Sequence, residues 1–542
     1  RSIRMVEESD YENSGAFEVN NSTSLARVIV RQIIEAGITD VVISPGSRNA
    51  PLSLAFYEAS QEGLIKIHVR IDERTAAFFA LGIIKATNRP VPVVCTSGTA
   101  VANYHPAVLE ASHTNAPLLV LTADRPAMLR KTGANQTTEQ ARIFGKAVRY
   151  FADIDGPVYP MELPLDSLRT GPVHLNLQFD EPLLSDDSSN WLSEINVAPK
   201  EFVPRTKPGN LRLVGARGVV VIGHDRGGLT VDEITKFTKT LGWPVIAEDP
   251  LSFPDAVAHA SIFLASPEIR STLIPQSVLV IGRTTLSRSI NAFIKSSPIT
   301  YVVDQRLATV DTDRQADRKF TELPELQGII QSDEWIAKWA KVSERAQKLI
   351  SSLDGWNEAV IARTIAAAIP NETALFVSSS RPIRDFEGFA APRTGIDVYA
   401  NRGLAGIDGN ISTALGVAYA HKATTAVLGD LSFLHDLTGL IQSESINCRF
   451  IVINNDGGGI FSTLPQRGVN GFETVFGTPH GLNPAAIAQA MGITAKQVSS
   501  LKELEAEVKA PMSGISVVVC DVPGRESNAD NLKNIYQSLS SI

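Results

Sequence analysis

Along most of this chain one unit recurs: a short β-branched run, an abrupt turn of Gly, Ser, Asp or Asn, and then a helix-like stretch. Val41–Ile43 runs into SPGSR, Val91–Thr96 into SGTA, and Leu118–Thr122 into ADRP. Val219–Ile222 precedes GHDRGG, Val278–Ile281 precedes GRTT, and Tyr301–Val303 precedes Asp304. Leu375–Val377, Thr425–Leu428, Ile451–Ile453 and Ile515–Val519 end in SSS, GD, NND and CD. Continuous apolar strands that alternate with helices imply parallel sheets covered on both faces. The fold class expected is therefore α/β, with doubly wound, mainly parallel sheets. In such sheets ligands bind at the carboxyl ends of strands, where nearly all of these polar clusters fall.

A chain of 542 residues exceeds one compact core, and domain-size statistics favour roughly three domains. Two polar stretches, residues 185–212 and the charged helical run 331–355 with Trp335 and Trp339 four apart, divide it. The domains expected are 20–185, 212–330 and 355–542. A net charge of −8 argues against nucleic-acid or anionic-membrane partners, but not against a local cationic pocket. No apolar stretch reaches the ~18–20 residues of a membrane span, so no membrane insertion is expected. Cys95, Cys448 and Cys520 are scattered and form no CxxC pair. They read as reduced thiols in a cytoplasmic setting. The opening RSIRMVEESDYENSG has no apolar h-region and reads as a tail outside the fold.

The C-terminal third carries the sharpest chemistry. Leu428-Gly429-Asp430 closes one strand, and Asn454-Asn455-Asp456-Gly457 closes the next, with Asp430 and Asn455 25 residues apart. Alone, each is ordinary turn chemistry. On successive parallel strands they would meet, offering the Asp430 carboxylate, the Asn455 amide oxygen and the Gly457 carbonyl. Hard oxygen ligands filling part of an octahedron suit Mg²⁺. Backbone N–H groups of Asp430, Leu431 and Ser432, at a helix start, are candidates for a phosphate. Arginines also punctuate the strand ends: Arg48, Arg125, Arg288, Arg384 and Arg402. Each alone reads as a surface ion pair, but as a group they suit carboxylate-bearing ligands. GHDRGG (223–228) lacks GxGxxG spacing and reads as a turn, not a nucleotide site.

GD followed by NN at this spacing resembles the motif of thiamine-diphosphate enzymes, with Leu431 replacing the usual Gly. The set SPGSRNAPL (44–52), RIDERTAAF (70–78), TSGTAVANYHPAVLEA (96–111), LTADRP (121–126) and GANQTTEQ (133–140) narrows this further. With SSSRPIRD (378–385), NRGLAGIDG (401–409), GDLSFLHDL (429–437) and NNDGGGIFSTLP (454–465), it resembles the 2-succinyl-5-enolpyruvyl-6-hydroxy-3-cyclohexene-1-carboxylate synthase family. The resemblance implies pyrimidine- and diphosphate-binding domains flanking a Rossmann-like central one. It implies thiamine diphosphate with Mg²⁺ or Mn²⁺, and 2-oxoglutarate and isochorismate as substrates in menaquinone or phylloquinone biosynthesis. It implies a homodimer or homotetramer with sites at the subunit interface. Glu73 would be the catalytic carboxylate on the aminopyrimidine, at a strand-to-helix junction, and Ile407 the bulky residue bending the cofactor. Gly429 joins Asp430, Leu431, Ser432, Asn455 and Gly457 on the cofactor side. Ser47, Arg48, Arg125, Asn135 and Gln136 would line the isochorismate side. Ser380, Arg384 and Arg402 would lie nearer the oxoacid, with Phe461 and Leu464 as apolar walls. Ser287-Arg288 departs from the family's frequent Lys-Arg pair. The alternative is another thiamine-dependent decarboxylase or carboligase, such as an acetolactate synthase.

Overall fold

In the computed structural model the described residues are 21–156, 161–202, 206–306, 314–328, 331–441 and 444–540. The tail read at the N-terminus lies outside them. The first sheet contains β1 (Asp40–Ile43), β2 (Lys66–Val69), β3 (Val91–Cys95), β4 (Leu118–Asp124), β5 (Tyr150–Asp155) and β6 (Val173–Gln178). Their spatial order is β2-β1-β3-β4-β6-β5, all parallel. β7 (Asn210–Arg212) pairs with β13 (Glu325–Gln327) beside a central sheet. That sheet runs β12 (Arg318–Phe320), β11 (Thr300–Val303), β10 (Ser277–Ile281), β8 (Gly218–Ile222) and β9 (Val245–Ala247). The last sheet holds β14 (Thr373–Val377), β15 (Ile396–Tyr399), β16 (Thr424–Gly429), β17 (Cys448–Asn454), β18 (Thr494–Val498) and β19 (Ile515–Asp521).

The last sheet's order, β15-β14-β16-β17-β19-β18, repeats the first sheet's strand for strand. The two outer domains thus share one topology, a kinship their sequences do not display. Every strand is parallel to its neighbours, and interior strands β3, β4, β8 and β10 are buried at every residue and mostly apolar. Helices cover both faces of each sheet, so no strand needs an alternating pattern.

The outer domains join through helices Glu73–Thr87 and Asn410–Ala420, each of which follows the second strand of its sheet. They cross at Gly82 and Gly416, where a Cβ would lie 2.1 Å from the carbonyl oxygens of Thr413 and Phe79, respectively. Glycine here permits backbone-to-backbone approach. Phe78, Phe79 and Ile83 share one apolar core with Ile411, Leu415 and Phe433. The charged helix Asp333–Ser352 belongs to the central layer: Trp335 and Trp339 are buried in its core, and the Trp335 indole donates to the Gly218 carbonyl at 2.9 Å. The three cysteines are buried and unpaired in bonds to one another. GHDRGG forms a tight turn, in which a Cβ on Gly223 would meet the Arg283 carbonyl oxygen at 1.6 Å. Among the described residues no helix is long and apolar enough to cross a membrane.

Candidate active site

β16 and β17 are parallel neighbours in register, Gly429 opposite Ile453, so their carboxyl-end turns meet. Asp430, 2% exposed, accepts hydrogen bonds from the Leu431 N–H at 2.7 Å and the Gly457 N–H at 2.8 Å. The Leu431 N–H, read as a phosphate donor, is thereby directed to Asp430. His480 Nε2 lies 3.1 Å from the same carboxylate, and its Nδ1 accepts from the Leu482 N–H at 3.0 Å. In neutral His480 the proton therefore sits on Nε2, which donates to Asp430. Burial pushes the Asp430 carboxyl up, and these donors offset only part of it.

Asn455 donates its amide N–H to Glu358 at 2.8 Å, while its amide oxygen is buried with no hydrogen-bond partner. Gly457 has φ +129°, and a Cβ on it would lie 2.1 Å from the Gly477 carbonyl oxygen. A buried carboxylate and, on the adjoining turn, a buried, unpartnered amide oxygen are the donor types a hard divalent cation takes. The Ser432 hydroxyl accepts from the Asn410 amide at 2.9 Å and donates to the Ile407 carbonyl at 2.8 Å. Ile407 is thus tied to the same turn. Phe461 packs its ring 5.4 Å from that of Phe476, and half-buried Leu464 closes the turn that follows.

Glu73 opens the helix Glu73–Thr87, capped by the Asp72 side chain, which accepts from the Arg74 N–H at 3.0 Å. Thr438 donates to Asp72 at 2.6 Å, and Arg74 lies 3.1 Å from the His435 ring and 3.5 Å from Asp436. The residues flanking Glu73 therefore grip the far end of the helix Asp430–His435 that Asp430 begins. After burial itself, the Glu73 charge helps push the Cys95 thiol up.

The arginines fall into two groups. Arg48 donates to the Phe179 carbonyl at 2.9 Å, and its Nε is buried without a partner. Arg125 donates to the Ser97 hydroxyl and the Gln136 carbonyl, both at 2.8 Å. Burial, then the charge of Arg48, holds the Arg125 guanidinium below its ordinary range, so the two cations are neighbours. Gln136, in a left-handed conformation at φ +53°, also donates its side-chain N–H to the Ser97 carbonyl. Ser47 and Asn135 stand exposed on the same loops. In the second group, Arg384 donates to the Ser380 carbonyl at 2.5 Å, and Ser380 itself is strained at φ +75°. Arg402, 3% exposed, pairs with Glu248 of the central layer at 2.5 Å and leaves Nε unpartnered. Burial and then the charges of Arg381 and Arg402 depress Arg384. Among the described residues no hydrogen bond or ion pair joins Arg288 to this group; it is exposed at the start of the helix Arg288–Lys295. The Ser287 hydroxyl caps that helix by accepting from the Ile290 N–H.

Three family models match the chain in order: the thiamine pyrophosphate enzyme N-terminal TPP-binding domain over 23–143, the middle domain of thiamine pyrophosphate enzymes over 185–377, and the C-terminal TPP-binding domain over 382–522. A 2-succinyl-5-enolpyruvyl-6-hydroxy-3-cyclohexene-1-carboxylate synthase from Thermobifida fusca is 39% identical over 90% of this chain and 93% of its own length. The chain belongs to the 2-succinyl-5-enolpyruvyl-6-hydroxy-3-cyclohexene-1-carboxylate synthase family. A relative of the same name from Nocardioides sp. is 38% identical over 96% of this chain and 98% of its own length. One from Staphylococcus aureus is 35% identical over 93% and 95%. The C-terminal thiamine-pyrophosphate-binding domain match spans the turns that carry Asp430, Asn455 and Gly457. Sequence reasoning missed Glu358, His480, Glu248 and Ser97. Glu358 is 97 residues from Asn455 and Glu248 is 154 from Arg402, so no local spacing signals either pairing. Ser97 lay inside the SGTA run but had no role until Arg125 and Gln136 were seen to converge on it.

Proposed function

We propose that this chain decarboxylates 2-oxoglutarate and adds the remaining succinyl unit in a 1,4 sense to isochorismate, forming 2-succinyl-5-enolpyruvyl-6-hydroxy-3-cyclohexene-1-carboxylate. The observation that carries the reading is the unpartnered Asn455 oxygen and the buried Asp430 carboxylate at neighbouring strand ends, in a chain 38% identical over 96% of its length to such a synthase. Bound thiamine diphosphate supplies the carbon nucleophile and the electron sink for decarboxylation. Asp430, Asn455 and the Gly457 carbonyl would hold Mg²⁺ or Mn²⁺, and Gly429, Leu431 and Ser432 would border the diphosphate. Glu73 would be the carboxylate that exchanges a proton with the cofactor's aminopyrimidine, and Ile407 would be the bulky side chain packed against the cofactor.

Both substrates are dicarboxylates, so cations must hold them in an acidic protein. Arg384 and Arg402, with Ser380, orient the oxoacid; the unpartnered Arg402 Nε is free for a carboxylate oxygen. Arg48 and Arg125, with Ser47, Asn135 and Gln136, take the isochorismate carboxylates, and Arg288 approaches from the central layer. Phe461 and Leu464 keep water from the reacting carbon. Alignment and fixed charge are the protein's contribution to rate. We assign 20–185 to the pyrimidine side, 212–330 to the central domain and 355–542 to the diphosphate side. Two copies of the chain share each site, Glu73 from one and Asp430 from the other.

The test supplies thiamine diphosphate, Mg²⁺ and 2-oxoglutarate with and without isochorismate. The expected product has the summed mass of the two substrates less CO₂ and forms only when both are present. Decarboxylation alone, with no adduct to isochorismate, would overturn the reading in favour of a simpler decarboxylase or an acetolactate-type carboligase.

A further inference from the structure

Asn455 can bind a cation only if its amide turns the oxygen outward, and its immediate neighbours control which way it turns. Its Nδ2 donates to Glu358 Oε1 at 2.8 Å. An ionised carboxylate only accepts, so the flipped amide would set oxygen against oxygen. Glu358 is 9% exposed and opens the helix Glu358–Ala368, whose cap is the Asn357 side chain. Behind it stands Arg381, 3.6 Å from the second carboxylate oxygen and paired also with Asp385. Gly459 backs the same nitrogen: a Cβ there would lie 2.3 Å from Asn455 Nδ2. The amide nitrogen is therefore placed against both Glu358 and Gly459, while its oxygen stays buried and unpartnered. Arg381 is also the first residue of the helix Arg381–Phe389, one position after Ser380 and on the same helix as Arg384.

We propose that Glu358 is a positioning residue for the divalent cation: it fixes the Asn455 amide with its oxygen toward the metal and, through Arg381, couples that turn to the helix bearing Arg384. The proposal rests on the reading of Asp430, Asn455 and Gly457 as the cation site. Outer partners that orient a ligand typically govern about 10–100-fold in metal affinity.

The test reads binding and not turnover. The apo chain is titrated with Mn²⁺, followed by the electron paramagnetic resonance signal of the free ion, and calorimetrically with Mg²⁺ at saturating thiamine diphosphate. Glu358→Leu removes the acceptor at similar size and should weaken metal binding about 10–100-fold. Glu358→Gln keeps an oxygen for the Asn455 N–H but adds an N–H that can donate to the flipped amide, so its metal binding should fall between wild type and Glu358→Leu. A folded Glu358→Leu chain that loads metal like wild type, or a Glu358→Gln chain as weak as Glu358→Leu, overturns the proposal. Should Glu358→Leu fail to fold, Asn455→Asp gives the second arm. Its new oxygen would face Glu358 and impair loading, and adding Glu358→Gln, whose amide donates, should restore it. No recovery in that double variant overturns the proposal equally. A wild-type chain that takes up neither Mn²⁺ nor thiamine diphosphate would instead sink the cofactor reading on which the proposal stands.

Discussion

Glu73 occupies the first position of a helix whose cap, Asp72, is supplied by its own neighbour, so Glu73 is not needed for capping. That leaves its carboxylate available for the acid/base role proposed above. Replacing Glu73 by Gln keeps the shape and removes the proton-sharing group. Turnover should fall about 10²–10⁴-fold, the usual scale for one acid/base group, with thiamine diphosphate still bound. Steady-state assays beside a calorimetric titration check both halves. Glu248 carries a different prediction. Its two oxygens are spent on Arg402 and the His224 N–H, and both ion-pair partners are almost fully buried. Glu248→Ala would strand a buried guanidinium, at a cost of about 3–5 kcal/mol. Denaturant unfolding should shift accordingly, and KM for the oxoacid should rise more than kcat falls, because Arg402 loses its fixed position.

At the scale of elements, the crossing of helices Glu73–Thr87 and Asn410–Ala420 sets where Glu73 stands. Two effects oppose each other in Gly82→Ala. Helix propensity favours Ala by roughly 1 kcal/mol. The new methyl, however, would lie 2.1 Å from a backbone carbonyl oxygen, which no rotamer change relieves. Overpacking of this kind costs about 1–3 kcal/mol, and here the obstacle is main chain, so the clash should win. A lower thermal midpoint for Gly82→Ala, with secondary structure retained by circular dichroism, is the expected outcome; an unchanged or higher midpoint would refute the close-packed crossing.

Across the whole molecule, a buried histidine clamps the first domain to the last. His68 on β2 is fully buried, 2.9 Å from Asp40 and 2.7 Å from Glu444. Arg70 adds a bond to Glu444 at 3.0 Å, and Tyr419 donates to Asp40 at 2.9 Å. With both ring nitrogens facing carboxylates, His68 serves both only when doubly protonated. Burial opposes that charge, but the hydrogen bonds to Asp40 and Glu444 prevail and raise its pKa. Burial likewise opposes the charges of Asp40 and Glu444, whose bonds to His68 prevail and lower theirs. The histidine's contribution is therefore complete below its unfolded value of about 6.5 and is lost as pH rises through the higher folded value. The carboxylates contribute above their unfolded values of about 4 and lose it as pH falls through the lower folded ones. Stability from the clamp should peak in weakly acidic solution, and His68→Gln should remove the decline on the alkaline side of the thermal midpoint against pH.

Read from the chain alone, β1, β3, β4, β8, β10, β11, β14, β16, β17 and β19 were legible, and all are interior strands. Interior strands of covered parallel sheets must be apolar on both faces, so they announce themselves. The edge strands β5, β9, β12, β15 and β18 were not read: short or partly exposed, they have no such constraint. β6 is interior yet was also missed, because His174 and Asn176 break its apolar run to join Thr122, Asp124 and Gln140 in a buried polar network. The convergence of the turns after β16 and β17 was legible for a related reason: strand ends concentrate polar residues within a few positions, and neighbouring parallel strands bring two such runs together. What the linear order could not carry was contact at a distance. Glu358 behind Asn455, Glu248 behind Arg402, and the shared topology of the outer domains exist only once parallel sheets bring remote segments together, since a hydrogen bond depends on separation in space and leaves no periodic trace along the chain.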